Sequence, residues 1–145
     1  NGYMQIEIFV DPHGQPTICE FAWRTAGEHM LSNQSIAFDV DVCSLLVDIM
    51  VGRKIQPLSS QGKKCVGDMF LPLSDGVVTE ISSYEDLCNI EGVIDGNINY
   101  KVGDVIQSKR QYTSCAGWIQ VEGQTADEVL SRMLKVYGKF KIVTS

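Results

Sequence analysis

Hydrophobic and polar residues alternate along Met4-Gln5-Ile6-Glu7-Ile8-Phe9-Val10 and again along Thr17-Ile18-Cys19-Glu20-Phe21. A period of two predicts strands with one face turned to a core. Between them, Asp11-Pro12-His13-Gly14-Gln15 is a turn sequence, so the first twenty residues predict a β-hairpin. A hairpin centred on His13-Gly14 sets Glu7 directly opposite Glu20. Two carboxylates facing each other across a strand pair repel. The chain then runs through Ala22-Trp23-Arg24-Thr25-Ala26-Gly27-Glu28-His29. Residues 22–36 read as a polar, Gly-containing loop with one helical turn near Glu28-His29-Met30-Leu31.

The period lengthens between Phe38 and Val51. Val42, Leu45, Leu46, Ile49 and Met50 recur as one face of a helix. Asp39 or Asp41 serves as its N-cap and Gly52 as its stop. Residues 52–62 read as a connecting loop. Beyond it, Cys65 to Leu73, Gly76 to Ile81, Gly92 to Ile98 and Arg110 to Val121 are strand candidates, with a short Ser-capped helix from Ser82 to Leu87. Thr125 and Glu128 form a capping-box pattern opening the last helix. Its predicted apolar face is Ala126, Val129, Leu130, Met133, Leu134 and Tyr137. Lys139 to Val143 closes the chain as a strand with Phe140 and Ile142 inward. The pattern divides the chain into residues 1–55, hairpin and helix, and residues 63–145, an antiparallel β-rich unit closed by one helix.

The 145 residues are 44% hydrophobic, enough for a sizeable core, and mix helical with strand patterns. A formal net charge of −6 argues against non-specific binding to nucleic acid or to an anionic membrane. The five cysteines, Cys19, Cys43, Cys65, Cys88 and Cys115, are odd in number and lack zinc spacing. They read as buried, reduced thiols of a cytoplasmic protein. No apolar stretch approaches the roughly 20 residues of a membrane span, and no secretory signal is visible. The chain starts at Asn1, almost on a strand, and is expected to lack an N-terminal part.

The carboxylate pair is the leading chemical candidate. A divalent cation between Glu7 and Glu20 turns their repulsion into a site, and Mg²⁺ is typically held by one or two carboxylates plus substrate phosphates. Arg24, four residues after Glu20, suits bidentate contact with a phosphate or carboxylate. Gly27 permits close backbone approach, and Glu28 and His29 are substrate-side candidates. The competing reading places Glu7 and Glu20 on a solvated face in another register, with Arg24 as their ion-pair partner. Other residues weigh less. His13 is an exposed turn residue, Lys63-Lys64 and Lys109-Arg110 are solvated charge, Cys115 is a packed thiol without a nearby histidine, and Trp23 either stacks on a ligand or packs over the hairpin.

These residues resemble the metal-binding segment of the ATP-grasp superfamily. There, a glutamate on one strand and an E-x-N-x-R pattern on the next carry the ions of Mg-ATP. Glu7 matches the first, and Glu20-Phe21-Ala22-Trp23-Arg24 matches the second except at Ala22, whose side chain cannot ligate a metal. Gly117-Trp118-Ile119 and Gly123-Gln124-Thr125-Ala126-Asp127-Glu128 resemble the small C-terminal β domain of carboxylase-like and amino-acid-ligase-like members.

The resemblance implies an α+β chain: the C-terminal part of an ATP-grasp fold, an antiparallel sheet with a packed helix, then a small antiparallel β-rich domain with one closing helix. It implies the C-terminal fragment of an ATP-dependent carboxylate–amine (or thiol) ligase working through an acyl phosphate. Glu7 and Glu20 would hold Mg²⁺ (or Mn²⁺) with ATP as co-substrate. Arg24 would act on the transferring phosphoryl group, and Glu28 and His29 would contact the substrate. Expected partners are ATP, small-molecule carboxylate and amine substrates, the missing N-terminal part, and a second copy in a homodimer. The alternative is a non-catalytic docking or dimerisation module with a degenerate site. The chain alone is expected to be inactive.

Overall fold

The computed structural model describes residues 2–59, 61–107 and 114–145. It divides into two compact units, Asn1–Gly62 and Lys63–Ser145.

In the first unit, β1 (Gln5–Val10) and β2 (Pro16–Ala22) form a two-stranded antiparallel sheet. Helices α1 (Met30–Phe38) and α2 (Val42–Met50) follow. Helix α1 begins at Met30, inside the segment expected to be a loop, and takes its last seven residues, 30–36. Its sequence, MLSNQSIAF, is weakly amphipathic, and His29 at its N-cap makes no capping side-chain bond, so local signals are weak. It ends at Asp39, whose φ of 55° reverses the chain. Asp41, not Asp39, caps α2, accepting from the Ser44 backbone N–H at 2.9 Å and its hydroxyl at 2.6 Å. These bonds lower the Asp41 carboxyl pKa, the Ser44 hydroxyl contributing most. Val42, Leu45, Leu46 and Ile49 line an apolar cavity of about 380 Å³ with Phe38 and Ile55, whereas Met50 faces out.

In the second unit, β3 (Cys65–Leu71), β7 (Gly117–Gly123) and β5 (Val93–Ile98) form one antiparallel sheet with β7 central. A second sheet sets β4 (Gly76–Ile81) between β6 (Val105–Ile106) and β8 (Ile142–Thr144). Strand β6 was not expected, since two residues carry no readable period. Of the Arg110 to Val121 candidate, residues 110–113 lie outside the described residues, as does Lys109-Arg110. Helix α3 (Tyr84–Cys88) starts in a reciprocal capping box between Ser83 and Asp86. Helix α4 (Ala126–Lys139) starts at Thr125, whose hydroxyl accepts from Glu128 N–H at 3.2 Å. The Glu128 carboxylate reaches one residue further back, accepting from Gln124 N–H at 2.7 Å.

The core joins Leu71, Leu87, Ala116, Ile119, Val121, Val129 and Val136. This corrects the predicted face of α4. Val129, Met133 and Val136 turn inward, while Leu130, Leu134 and Tyr137 are exposed. The helix carries two apolar stripes, and the one packed against β3 and β7 is buried. The cysteines are also corrected: all five are free, but Cys19 and Cys43 are exposed and the other three half-buried.

Candidate metal and nucleotide site

The hairpin brings the two candidate carboxylates together. In the antiparallel register Glu7 pairs with Glu20 and Gln5 with Ala22. Side chains alternate between faces of a strand, so Gln5, Glu7, Glu20 and Ala22 share one face. Ile6 and Phe21, with Ile8 and Ile18, lie on the other, and all four are exposed.

Toward the tip the pairing differs from a turn centred on His13-Gly14. Ile8 pairs with Ile18, Phe9 with Thr17 and Val10 with Pro16, so Cys19 is one extra residue between Glu7 and Ile8. The tip is a three-residue loop, Pro12-His13-Gly14, closed by Asp11 N–H to Gln15 C=O at 3.1 Å and Gly14 N–H to Asp11 C=O at 2.9 Å. Gly14 sits at φ 80°, which a glycine adopts without strain. The Asp11 carboxylate accepts from the N–H groups of His13 and Gln15, each at 2.8 Å. The bulge at Cys19 absorbs the odd residue and returns Glu7 to its place opposite Glu20.

Gln5 joins this pair to Arg24. Its Nε2 donates to Glu7 Oε1 at 2.9 Å, and its Oε1 accepts from Arg24 Nη1 at 2.9 Å. Arg24 Nη1 also donates to the Thr25 carbonyl at 3.1 Å. Among the described residues no ion pair joins Arg24 to either glutamate, so the guanidinium stands beside the carboxylates without neutralising them. The arrangement combines two facing carboxylates, a neutral amide and a cation within one patch.

The remaining candidates sit nearby in the chain. Glu28 is exposed and holds a φ of 53°, uncommon for a residue with a side chain. His29 occupies the N-cap position of α1, its carbonyl accepting from Asn33 N–H at 2.8 Å. Trp23 is 76% exposed. In the second unit Lys64 forms an ion pair with Glu122 at 2.8 Å rather than standing in solvent alone. Cys115 accepts weakly from the Asn99 amide at 3.8 Å. The sequence pattern does not single out Gln5, although its position two residues before Glu7 marks it as a neighbour on the same face.

Residues 69–145 match the family model of the L-amino acid ligase C-terminal domain 2, just over half of the chain. The chain belongs to that family. No curated protein sequence matches it. Among solved structures, the fold is similar to L-amino acid ligase from Bacillus licheniformis, with a TM-score of 0.80 and 14% identity over 99% of this chain and 36% of that one. Phosphoribosylglycinamide synthetase from Anaerococcus prevotii matches with a TM-score of 0.74 and 12% identity over 98% of this chain and 37% of that one. The biotin carboxylase domain of Hydrogenobacter thermophilus 2-oxoglutarate carboxylase, solved with MgADP, ADP and bicarbonate, matches at 0.66 and 15% identity over 97% of this chain and 31% of that one. The fold is therefore that of the C-terminal part of ATP-grasp ligases, and the chain spans about a third of the length of these proteins. The resemblance and the α+β architecture drawn from the sequence both hold at this level. Among the described residues no helix is long and apolar enough to cross a membrane.

Proposed function

We propose that this chain is the C-terminal portion of an ATP-dependent carboxylate–amine (or thiol) ligase and that Glu7 and Glu20 hold the divalent cation of the nucleotide. The reading rests on Glu7 standing opposite Glu20 on one face of the hairpin. The donor set fits Mg²⁺ or Mn²⁺: hard carboxylate oxygens, with a carboxamide beside them. Among the described residues no group of three or more histidines, cysteines, aspartates or glutamates gathers. Two carboxylates are the usual complement where phosphates supply the other ligands.

Bound there, the cation neutralises nucleotide phosphate charge and orients the phosphoryl group for transfer. The chain's own residues do the rest. Glu7 and Glu20 fix the position of the phosphates from paired strands. Arg24, left unpaired by the carboxylates, turns its guanidinium to the phosphoryl group leaving ATP or to the acyl phosphate formed on the substrate carboxylate. The amine or thiol substrate then displaces phosphate. Glu28 and His29, at the start of α1, contact the substrate. In this assignment residues 1–55 end the catalytic domain and residues 63–145 form the small β-rich domain.

The test is amino-acid-dependent phosphate release from ATP by the full-length protein and by its Glu20→Gln variant. The proposal expects activity in the parent and its loss in the variant with folding unchanged. Undiminished turnover by Glu20→Gln refutes the metal assignment, and absence of turnover in both, with no nucleotide binding, leaves the docking-module reading in its place.

A further inference from the structure

The row of the hairpin next to the carboxylate pair holds Gln5 facing Ala22. A pair of carboxylates and a neutral oxygen donor is a stronger cation site than the pair alone, because a carboxamide oxygen adds a ligand without adding repulsion. On β2 that donor is missing, since the alanine side chain has no oxygen. On β1 it is present, and the structure shows that it reaches. Two residues along a strand span about 6.6 Å, yet the Gln5 amide closes the gap to Glu7, its Nε2 lying 2.9 Å from Oε1. Its oxygen already accepts from a cationic group, the Arg24 guanidinium at 2.9 Å. Gln5 is half-buried while Glu7 and Glu20 are exposed, so its stem is the most confined of the three. The terminal torsion of glutamine is broad and nearly two-fold, so exchanging nitrogen for oxygen toward Glu7 needs only a half-turn about the last bond. That turn removes one of the two acceptors of Arg24 Nη1, leaving the Thr25 carbonyl at 3.1 Å.

We infer that Gln5 is the third oxygen ligand of the cation held by Glu7 and Glu20, supplying from the first strand the carboxamide that the second strand lacks at Ala22. The inference rests on the metal reading of that pair. Cation binding then turns the Gln5 oxygen from Arg24 toward Glu7.

The experiment is a Mn²⁺ titration of the full-length protein with a non-hydrolysable ATP analogue, free Mn²⁺ being read by electron paramagnetic resonance. The variants are Glu20→Gln, Gln5→Ala, Ala22→Asn and the double variant Gln5→Ala with Ala22→Asn. The inference expects Gln5→Ala to weaken Mn²⁺ affinity by about tenfold or more. It expects the double variant to recover it, because residue 22 projects onto the same face directly across the ladder. If Glu20→Gln leaves affinity unchanged, the metal reading itself fails. If Glu20→Gln weakens binding but Gln5→Ala does not, the metal reading stands and the role of Gln5 is refuted. If Gln5→Ala weakens binding and the asparagine at position 22 does not restore it, Gln5 acts on packing rather than as a ligand, and the inference is again overturned.

Discussion

Helix α4 offers the sharpest test of the fold, because two apolar stripes on it compete for the core. Val136 is 0% exposed and belongs to the central cluster with Ile119 and Val121, whereas Leu134, the larger side chain, is 62% exposed. Val136→Ala removes two buried methyl groups. At about 0.5–1.5 kcal/mol for each such deletion, cavity included, the loss is about 1–3 kcal/mol. Leu134→Ala removes more atoms, but most of them already meet water, and alanine is as good a helix former as leucine. Its cost is therefore under about 1 kcal/mol. The chain has two tryptophans, Trp23 in the first unit and Trp118 on β7. Urea unfolding by fluorescence in a Trp23→Phe background thus reports the second unit, and the shift in midpoint at constant slope gives the two costs. A Leu134→Ala cost equal to or above that of Val136→Ala would mean that the other stripe is buried, and would refute the inward packing of Val136.

Two further predictions concern the same unit. Gly92 and Gly103 have φ values of 83° and 96°, but only at Gly92 is a Cβ obstructed, by Arg132 Cδ at 2.5 Å and the Glu122 carbonyl oxygen at 2.7 Å. Gly103→Ala is expected to cost about 1–2 kcal/mol from backbone strain alone. Gly92→Ala adds about 1–3 kcal/mol of overpacking, because Arg132 is held there by its 2.7 Å bond to that carbonyl and its ion pair with Glu91. Equal costs in urea unfolding would contradict the close approach. The Asp86 carboxyl is held below its ordinary range by the Ser83 backbone N–H at 2.8 Å and, secondarily, by the Ser83 hydroxyl at 3.0 Å. A lowered folded-state pKa stabilises above the unfolded value of about 3.9 and is lost as pH falls through the folded value. Acid unfolding should therefore steepen below about pH 4, and Asp86→Asn should flatten that dependence; an unchanged slope would dismiss the cap as its source.

What the sequence showed depends on how local each cause is. Thr125 was legible as a cap, Asp41 as one of two candidates and the serine cap of α3 without its position, because each side chain and the backbone N–H it satisfies are three residues apart. Glu7 facing Glu20 was legible because side-chain alternation and a Pro/Gly turn nearly fix a register. The bulge at Cys19 was not, since it arises from the mismatch between a three-residue tip and the pairing beyond it. Helix α1 was hidden because residues 30–38 carry three small polar side chains and no cap, so its stability comes from packing rather than from its own sequence. The face of α4 was ambiguous because Val129 belongs to both readings, and Val136 was decided only by its place in the buried core. Gln5 read as an ordinary polar strand position, and its link between Glu7 and Arg24 depends on how two side chains bend.

The central claim is that a divalent cation sits between Glu7 and Glu20. Paramagnetic broadening by Mn²⁺ in ¹H–¹⁵N spectra of the full-length protein with an ATP analogue tests it most directly. A cation held there makes the amides of residues 5–8 and 19–24 the first of this chain's to broaden, and Glu20→Gln abolishes the effect. Broadening that begins in residues 63–145, or that persists unchanged in the variant, would contradict it.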